Sequence, residues 1–380
     1  MYPALAVLKA LQEDESSRWQ SDGTERQLQA EYDALEVLWV GGEGGIEVDL
    51  ISREEVEFTT IPAAGLHGVG LRAFPGNLWQ IIKGFFSARR ILKEFQPQVL
   101  FFTGGYLAVP VALAGRSILS RKNRPRIMVY VPDIEPGLAL RLLAWLSDQI
   151  AVTVEASMNY FGSKSKIEVT GYPVRGELSM GDQKAARSQL SLSQDLPTLL
   201  VFGGSKGARS INRAVFQVLP DLLKDIQVIH ISGQLDWSEV EYERNRLPEY
   251  LKKRYHAYPY LYQEMGAALN AADMVVSRAG ASVLGEFPVF GIPAILVPYP
   301  YAWRYQEVNA RYLENCGAAI VLQDDELKQK LLPTILGLLD DQNQRERMSQ
   351  AMSSMATPKA TESITNLLHG LVTESSLGRI

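Results

Sequence analysis

Residues 270–310 read NAADMVVSRAGASVLGEFPVFGIPAILVPYPYAWRYQEVNA, and this stretch decides the fold. Residues 274–277 form a short apolar run and Gly280 opens a turn. Ser282 is a capping residue, Gly291 stops the short helix, and Pro293 leads into a second apolar run at 294–297. The pattern is strand, small-residue turn, helix, strand, loop, helix. Such a βαβ unit places its loops at the carboxyl ends of parallel strands, where doubly wound sheets bind ligands. Two polar residues stand out against the apolar background, Glu286 in the short helix and Gln306 after the last strand. Glu286 has two readings. It lies on a solvated helix face, or it is a carboxylate beside a strand-end crevice that accepts both hydroxyls of a ribose.

Outward from this unit the same alternation recurs. Residues 198–202 form a β-branched and apolar strand that runs into Gly203-Gly204-Ser205-Lys206-Gly207-Ala208-Arg209 and then a helix carrying Ile211, Val215 and Leu219. Glycines bring the backbone close to a ligand, successive N–H groups point outward, Ser205 adds a hydroxyl, and the helix dipole favours an anion. A plain strand-to-helix turn is the alternative. Upstream, the apolar run 99–102 turns through Gly104, Gly105 and Tyr106 into a helix, and further strands are expected at 127–131, 149–154 and 167–170. Strands alternating with helices predict parallel sheets. The length of 380 residues predicts two or three domains, and the polar stretch 179–197 marks the passage to a second.

The chain opens with an apolar helix at 1–11, with Pro3 in its first turn. A doubly wound domain ordinarily begins with a central strand and a glycine turn feeding such a helix. The N-terminal domain is therefore expected to lack its first strand, and the native chain to begin upstream. Residues 12–33 are polar and read as a linker or insertion. Gly41 to Gly45 lack the GxGxxG spacing and read as a mobile turn. Residues 71–86, LRAFPGNLWQIIKGFF, are rich in large apolar side chains and edged by Arg72, Lys83, Arg89 and Arg90. They form either a helix packed on the sheet or an amphipathic patch for a membrane surface.

Composition narrows the function. With 46% hydrophobic and 21% charged residues the chain is that of a globular protein, and its net charge of −5 argues against sequence-independent nucleic-acid binding. A single cysteine, Cys316, excludes an intramolecular disulfide and is expected to be a small buried residue near a helix end. Four histidines and one cysteine, none at ligand spacing, predict no metal site. The most apolar stretch, 99–115, is broken by Gly104, Gly105 and Pro110 and is too short to span a bilayer. A cytosolic location is expected.

The order of the motifs resembles the MurG family, in glycosyltransferase family 28. The resemblance rests on YPALA at 2–6, FTGGYLAVPVALA at 102–114, PGLALRLLA at 136–144, VTGYPVR at 169–175 and VFGGSKGARSINRAV at 201–215. It continues through SRAGASVLGE at 277–286, GIPAILVPYP at 291–300 and QEVNA at 306–310. It implies two Rossmann-like α/β domains facing across a cleft, of the GT-B type. The N-terminal domain (1–175) would face acceptor and membrane, and the C-terminal domain (176–345) would bind UDP-sugar. Terminal helices (346–380) are expected to pack back on the N-terminal domain.

The activity implied is inverting transfer of N-acetylglucosamine from UDP-N-acetylglucosamine to a polyprenyl-diphosphate-linked muramoyl-peptide, without cofactor or metal. It would take place at the inner face of the plasma membrane, where cell-wall synthesis proteins are possible partners. By the resemblance Glu286 would hold the ribose, and Ser205, with Gly203 and Gly204, the diphosphate. Arg175 would line the donor side, while the Gly280-Ala281-Ser282 backbone and Gln306 would face sugar and phosphates. Gly104, Gly105, Tyr106 and Asp133 fall on the acceptor side, and Leu71, Phe74, Leu78, Trp79, Phe85 and Phe86 on the membrane patch. The family's His-Glu-Gln-Asn is here Tyr130-Val131-Pro132-Asp133, a Thr is Val283, and a His is Tyr301. Asp133, at a strand end, is the candidate for general base, with a surface or structural Asp as the alternative. These departures leave two other readings open, a transferase with a different acceptor and a non-catalytic nucleotide-binding scaffold.

Overall fold

Residue patterning builds two compact units. The computed structural model describes residues 2–21, 35–43, 51, 56–62, 74–120, 123–162, 166–176, 178, 181–204, 207–300 and 304–377. One unit comprises Met1–Pro132, Pro136–Pro173 and Lys359–Ile380; the other comprises Asp133–Glu135 and Val174–Pro358. Three corrections follow for the expected boundaries. Asp133–Glu135 belong with the second unit, the second unit already begins at Val174, and the chain returns to the first unit only at Lys359 rather than at 346.

The first unit begins with α1 (Tyr2–Ser21), β1 (Leu38–Gly42), β2 (Glu57–Ile61), α2 (Phe74–Phe95) and β3 (Val99–Phe102). It continues through α3 (Ala108–Arg116), β4 (Arg126–Val131), α4 (Leu138–Leu146), β5 (Gln149–Val152) and β6 (Lys166–Val169). Every strand pair is parallel. Strand β4 shows why. Ile127 to Val131 are all fully buried, as a strand covered on both faces requires. Its side chains alternate, with Ile127, Val129 and Val131 packing on one face with residues of α3 and α4. Met128 and Tyr130 pack on the other with Val7 and Leu11 of α1 and Ile364 and Leu368.

Among the described residues the strands of this first unit fall into two sheets, β1-β2 and β3-β4-β5-β6. Helix α1 serves both, since its Leu5 and Leu8 pack with Trp39 and Phe58 of the smaller sheet while Val7 packs with the larger. The helix also runs ten residues further than its apolar part, so residues 12–21 are helical rather than a linker. Gln12, Glu13, Glu15, Arg18 and Gln20 are good helix formers, which favours continuation of the helix beyond its apolar start. The remainder of the expected linker, 22–33, lies outside the described residues. Gly41 is likewise in strand β1, not in a turn; a Cβ there would lie 2.6 Å from the Phe58 ring.

The second unit begins with α5 (Gln183–Gln189), β7 (Thr198–Phe202), α6 (Arg209–Leu222), β8 (Gln227–Ile231), α7 (Trp237–Arg246), α8 (Glu249–Lys252), β9 (Tyr255–Tyr258) and α9 (Met265–Ala271). Then follow β10 (Met274–Ser277), α10 (Glu286–Phe290), β11 (Ala294–Leu296), α11 (Tyr305–Asn315), β12 (Ala319–Val321), α12 (Leu327–Asp340) and α13 (Gln342–Ser353). Helix α14 (Ala360–Leu377) returns to the first unit.

The six strands of the second unit are ordered β12-β11-β10-β7-β8-β9, and all are parallel. The chain winds outward from β7 to β9, then restarts on the other side of β7 with β10. The reversal makes the β7/β10 junction the switch point, where doubly wound sheets open a crevice. Ile211, Val215 and Leu219 of α6 are buried against this sheet at one-turn spacing, each stabilising by about 1.5–3 kcal/mol.

Candidate functional site

Ser277 at the end of β10 is in register with Phe202 at the end of β7. The two loops that follow, 203–208 and 278–282, therefore leave the sheet as neighbours at its switch point. In the first loop Gly204 and Gly207 have φ of +87° and +77°, which side chains rarely adopt. A Cβ on Gly203 would collide with Ala208, and one on Gly207 would strike the Ser232 carbonyl oxygen. Ser205 lies outside the described residues. The loop feeds the fourteen-residue helix α6, whose first-turn N–H groups have no intrahelical partner.

Behind the loop a buried chain of polar groups fixes this helix start. Asn212 Nδ2 donates to the Ser232 carbonyl at 3.0 Å and to Asp236 at 2.9 Å. Its Oδ1 lies 2.9 Å from His230 Nε2, and His230 Nδ1 lies 2.7 Å from the Tyr255 hydroxyl. Burial holds the His230 imidazole neutral, with its pKa lowered to about 4. Arg209 closes the chain on Asp236 at 2.8 Å.

Arg278, at the exit of β10, ties the site loops together. Its Nη1 donates to Asp324 at 2.6 Å and to the Val297 and Pro298 carbonyls, and its Nη2 donates to Ser210 Oγ at 2.7 Å. Ser210 in turn donates to Asp324 at 2.8 Å. The guanidinium stands over the Tyr299 ring, 5.3 Å from its centre. One side chain thus joins α6, the turn after β10, the loop after β11 and the segment after β12. Sequence reading passed over Arg278, although a charged residue closing an apolar strand was a visible signal.

The turn itself is Gly280-Ala281-Ser282, where residues 281–284 form a 3-10 turn and Glu286 opens α10. A Cβ on Gly280 would meet nothing within 4 Å, so its backbone faces open space. Glu286 is only 8% exposed, which removes the solvated-face reading. Desolvation raises its pKa to about 7, against the opposing pull of Arg175 and a hydrogen bond from Ser282. The structure therefore gathers Arg175, Ser282 and Glu286 at one point. Gln306, in the first turn of α11, accepts the Tyr299 N–H through Oε1 at 2.9 Å.

Asp133 joins the same unit through Asn309. The Asn309 Nδ2 donates to Asp133 Oδ1 at 2.8 Å and to the Ala279 carbonyl at 3.1 Å, while its Oδ1 accepts the Ile134 N–H at 3.2 Å. Burial raises the Asp133 pKa, and the Asn309 bond opposes that rise. Next to it, Glu135 pairs with Arg304 at 3.0 Å. Tyr130, where the family has His, is fully buried in the first unit, its hydroxyl 2.8 Å from Thr153 Oγ1 and 3.2 Å from the Gly171 carbonyl.

In the first unit, Gly104 and Gly105 take φ of +119° and +88° at the carboxyl end of β3, and Tyr106 is exposed. On α2, Trp79, Ile82 and Phe86 are exposed, and Lys83 reaches over the Trp79 ring. Phe85 packs against the core of the first unit and leaves the expected patch. Leu71 and the side chains of Phe74 and Leu78 lie outside the described residues. Cys316 is exposed at the end of α11 rather than buried, followed by left-handed Gly317 with φ +77°. Among the described residues no group of three His, Cys, Asp or Glu could hold a metal ion.

The comparisons agree along the whole chain. The glycosyltransferase family 28 N-terminal domain matches residues 1–152 and its C-terminal domain residues 198–364. A relative from Roseiflexus sp. (strain RS-1), named UDP-N-acetylglucosamine--N-acetylmuramyl-(pentapeptide) pyrophosphoryl-undecaprenol N-acetylglucosamine transferase, is 38% identical over 98% of this chain and 92% of its own length. One of the same name from Desulforamulus reducens is 36% identical over 96% of this chain and 93% of its own. The crystal structure of Acinetobacter baumannii MurG superposes with a TM-score of 0.71 at 24% identity, covering 97% of this chain and 95% of that one, a likeness of fold. With two Rossmann-like α/β domains, both family domains in order and relatives of this identity, the chain belongs to glycosyltransferase family 28.

Proposed function

We propose that this protein transfers N-acetylglucosamine, with inversion, from UDP-N-acetylglucosamine to a muramoyl-peptide carried on a polyprenyl diphosphate. The observation that carries the reading is the buried Glu286, which follows the turn leaving β10 at the sheet's switch point. Glu286 accepts the ribose hydroxyls. The 203–207 loop and the start of α6 hold the diphosphate, aided by Ser205, and Arg175 lines the donor side. The Gly280-Ala281-Ser282 backbone and Gln306 face the sugar and phosphates. Catalysis rests on stabilising the departing UDP by fixed N–H donors and on orienting the acceptor, with no metal required. Gly104, Gly105 and Tyr106 serve the acceptor.

The protein works at the cytoplasmic face of the membrane without crossing it. This is supported by Trp79, Ile82 and Phe86, exposed on a helix that also presents Lys83, Arg89 and Arg90. No helix among the described residues is long and apolar enough to span a bilayer. The buried Tyr130 in place of His favours a second reading, a different lipid-linked acceptor. The deciding assay is UDP release from UDP-N-acetylglucosamine, with EDTA present, in the presence and absence of the lipid-linked muramoyl-peptide. Acceptor-dependent release supports the first reading. Donor binding with no release on that acceptor, but with release on another polyprenyl-linked sugar, supports the second.

A further inference from the structure

The carboxylates around the switch point are not equivalent. Asp324 is neutralised by Arg278 at 2.6 Å, and Glu307 and Glu314 by Arg311 at 2.7 and 2.6 Å. Glu135 is held by Arg304, and Glu286 is buried against Ser282 with Arg175 nearby. Among the described residues none forms an ion pair with Asp133. Its carboxylate accepts from the neutral amide of Asn309, itself fully buried, whose Nδ2 is shared with the carbonyl of Ala279, the residue before the Gly280-Ala281-Ser282 turn. The second end of the same amide receives the Ile134 N–H. Through this one amide Asp133 and Ile134 are tied to Ala279, the residue that leads into the turn assigned to the donor sugar and phosphates.

We infer that Asp133 is the general base for the acceptor hydroxyl and that Asn309 is the residue that positions it. The inference rests on the transfer proposed above. In the step, the acceptor hydroxyl oxygen forms a bond to the anomeric carbon of the donor sugar. The bond from that carbon to the diphosphate oxygen breaks, its electron pair leaving with UDP, and the hydroxyl proton passes to the Asp133 carboxylate. A neutral amide suits the task better than a cation. An Arg or Lys partner would depress the acid and weaken it as a base, whereas Asn309 orients it with little loss of basicity. The neighbouring charges, Glu135 with Arg304 and Arg278 with Asp324, are already paired with each other.

The test uses the full chain, UDP-N-acetylglucosamine and the lipid-linked acceptor. Asp133→Asn keeps the shape and can still accept from Asn309, so it is expected to fold, to bind donor within about threefold of wild type, and to lose about 10²- to 10⁴-fold in kcat. Asn309→Ser is expected to lower kcat about tenfold and to move the acid limb of the kcat profile to higher pH, because the bond that lowers the Asp133 pKa is lost. The double variant should be no slower than Asp133→Asn alone, since Asn309 acts through Asp133.

Asp133→Asn retaining kcat within threefold of wild type overturns the assignment, as does a double variant whose losses multiply. If Asn309→Ser does not fold, the Asp133→Asn pair of measurements, kcat and donor affinity, decides alone. Wild-type protein that binds donor but never releases UDP on a lipid-linked acceptor refutes the proposed transfer instead, so the two failures are distinct.

Discussion

Replacing Glu286 by Gln tests the donor site through its electrostatics. In the folded protein burial raises the Glu286 pKa from 4.5 to about 7. An acid whose folded pKa lies above its unfolded value opposes folding once the unfolded chain ionises. The penalty is absent below pH 4.5, grows as pH rises, and is complete above pH 7. A shift from 4.5 to about 7 corresponds to about 3 kcal/mol at the plateau. Glu286→Gln has the same shape and no charge. At pH 8 it should be more stable than wild type by up to about 3 kcal/mol, with the gap closing towards pH 5. Ligand binding should behave in the opposite sense. In the proposed donor site it is the ionised carboxylate that would accept two ribose hydroxyls, so wild-type affinity for UDP-N-acetylglucosamine should fall about tenfold per pH unit below 7. Glu286→Gln should bind about 10- to 100-fold more weakly at pH 8, with little pH dependence. Urea unfolding followed in the second unit and calorimetric titration of the donor, both from pH 5 to 8.5, read the two effects. A variant less stable than wild type by a constant amount at every pH, or wild-type affinity that is flat across the range, refutes the reasoning.

Other perturbations follow from the same geometry. Arg175→Met removes the positive charge that lowers the Glu286 pKa, so the acid limb of donor binding should move to higher pH; an unmoved limb in the titration speaks against the pairing. Gly207→Ala combines φ +77° with a collision at the Ser232 carbonyl and should cost at least about 1–2 kcal/mol together with most donor affinity, read by thermal unfolding and calorimetry. Arg278→Met leaves the half-buried Asp324 beside Ser210 without its cation and removes the bonds to the Val297 and Pro298 carbonyls, and should destabilise by about 1.5–3 kcal/mol, measured by denaturant titration. Trp79→Ser with Phe86→Ser should weaken co-sedimentation with anionic phospholipid vesicles at least tenfold while leaving donor affinity intact; unchanged sedimentation removes α2 as the docking face.

Much of the fold was legible because its signals are local. Strand β7 and strand β10 are apolar runs closed by glycine turns, and both appear where the sequence placed them. Gly291 ends α10 in the left-handed conformation, as a stop signal should. Strands β9 and β12, at the two edges of the larger sheet, escaped the reading. With four and three residues, they are too short to show a period, and pairing with β8 and β11 makes them strands. Helix α1 runs on to Ser21, past the apolar positions that mark its start in the sequence.

The sequence by itself determined the family, the doubly wound class and the stretch carrying the donor motif, since glycine turns and apolar runs report on backbone conformation within a few residues. Glu286 and Gln306 could be named from that stretch alone. Whether Glu286 is solvated or buried, and that its charge answers to Arg175, depended on packing between segments more than a hundred residues apart. The partnership of Asp133 with Asn309, and the gathering of Ser210, Arg278 and Asp324, were decided only by tertiary structure. Hydrogen bonds between side chains distant in sequence leave no periodicity to read, and it is the crossing of the chain at the sheet's switch point that brings them within reach.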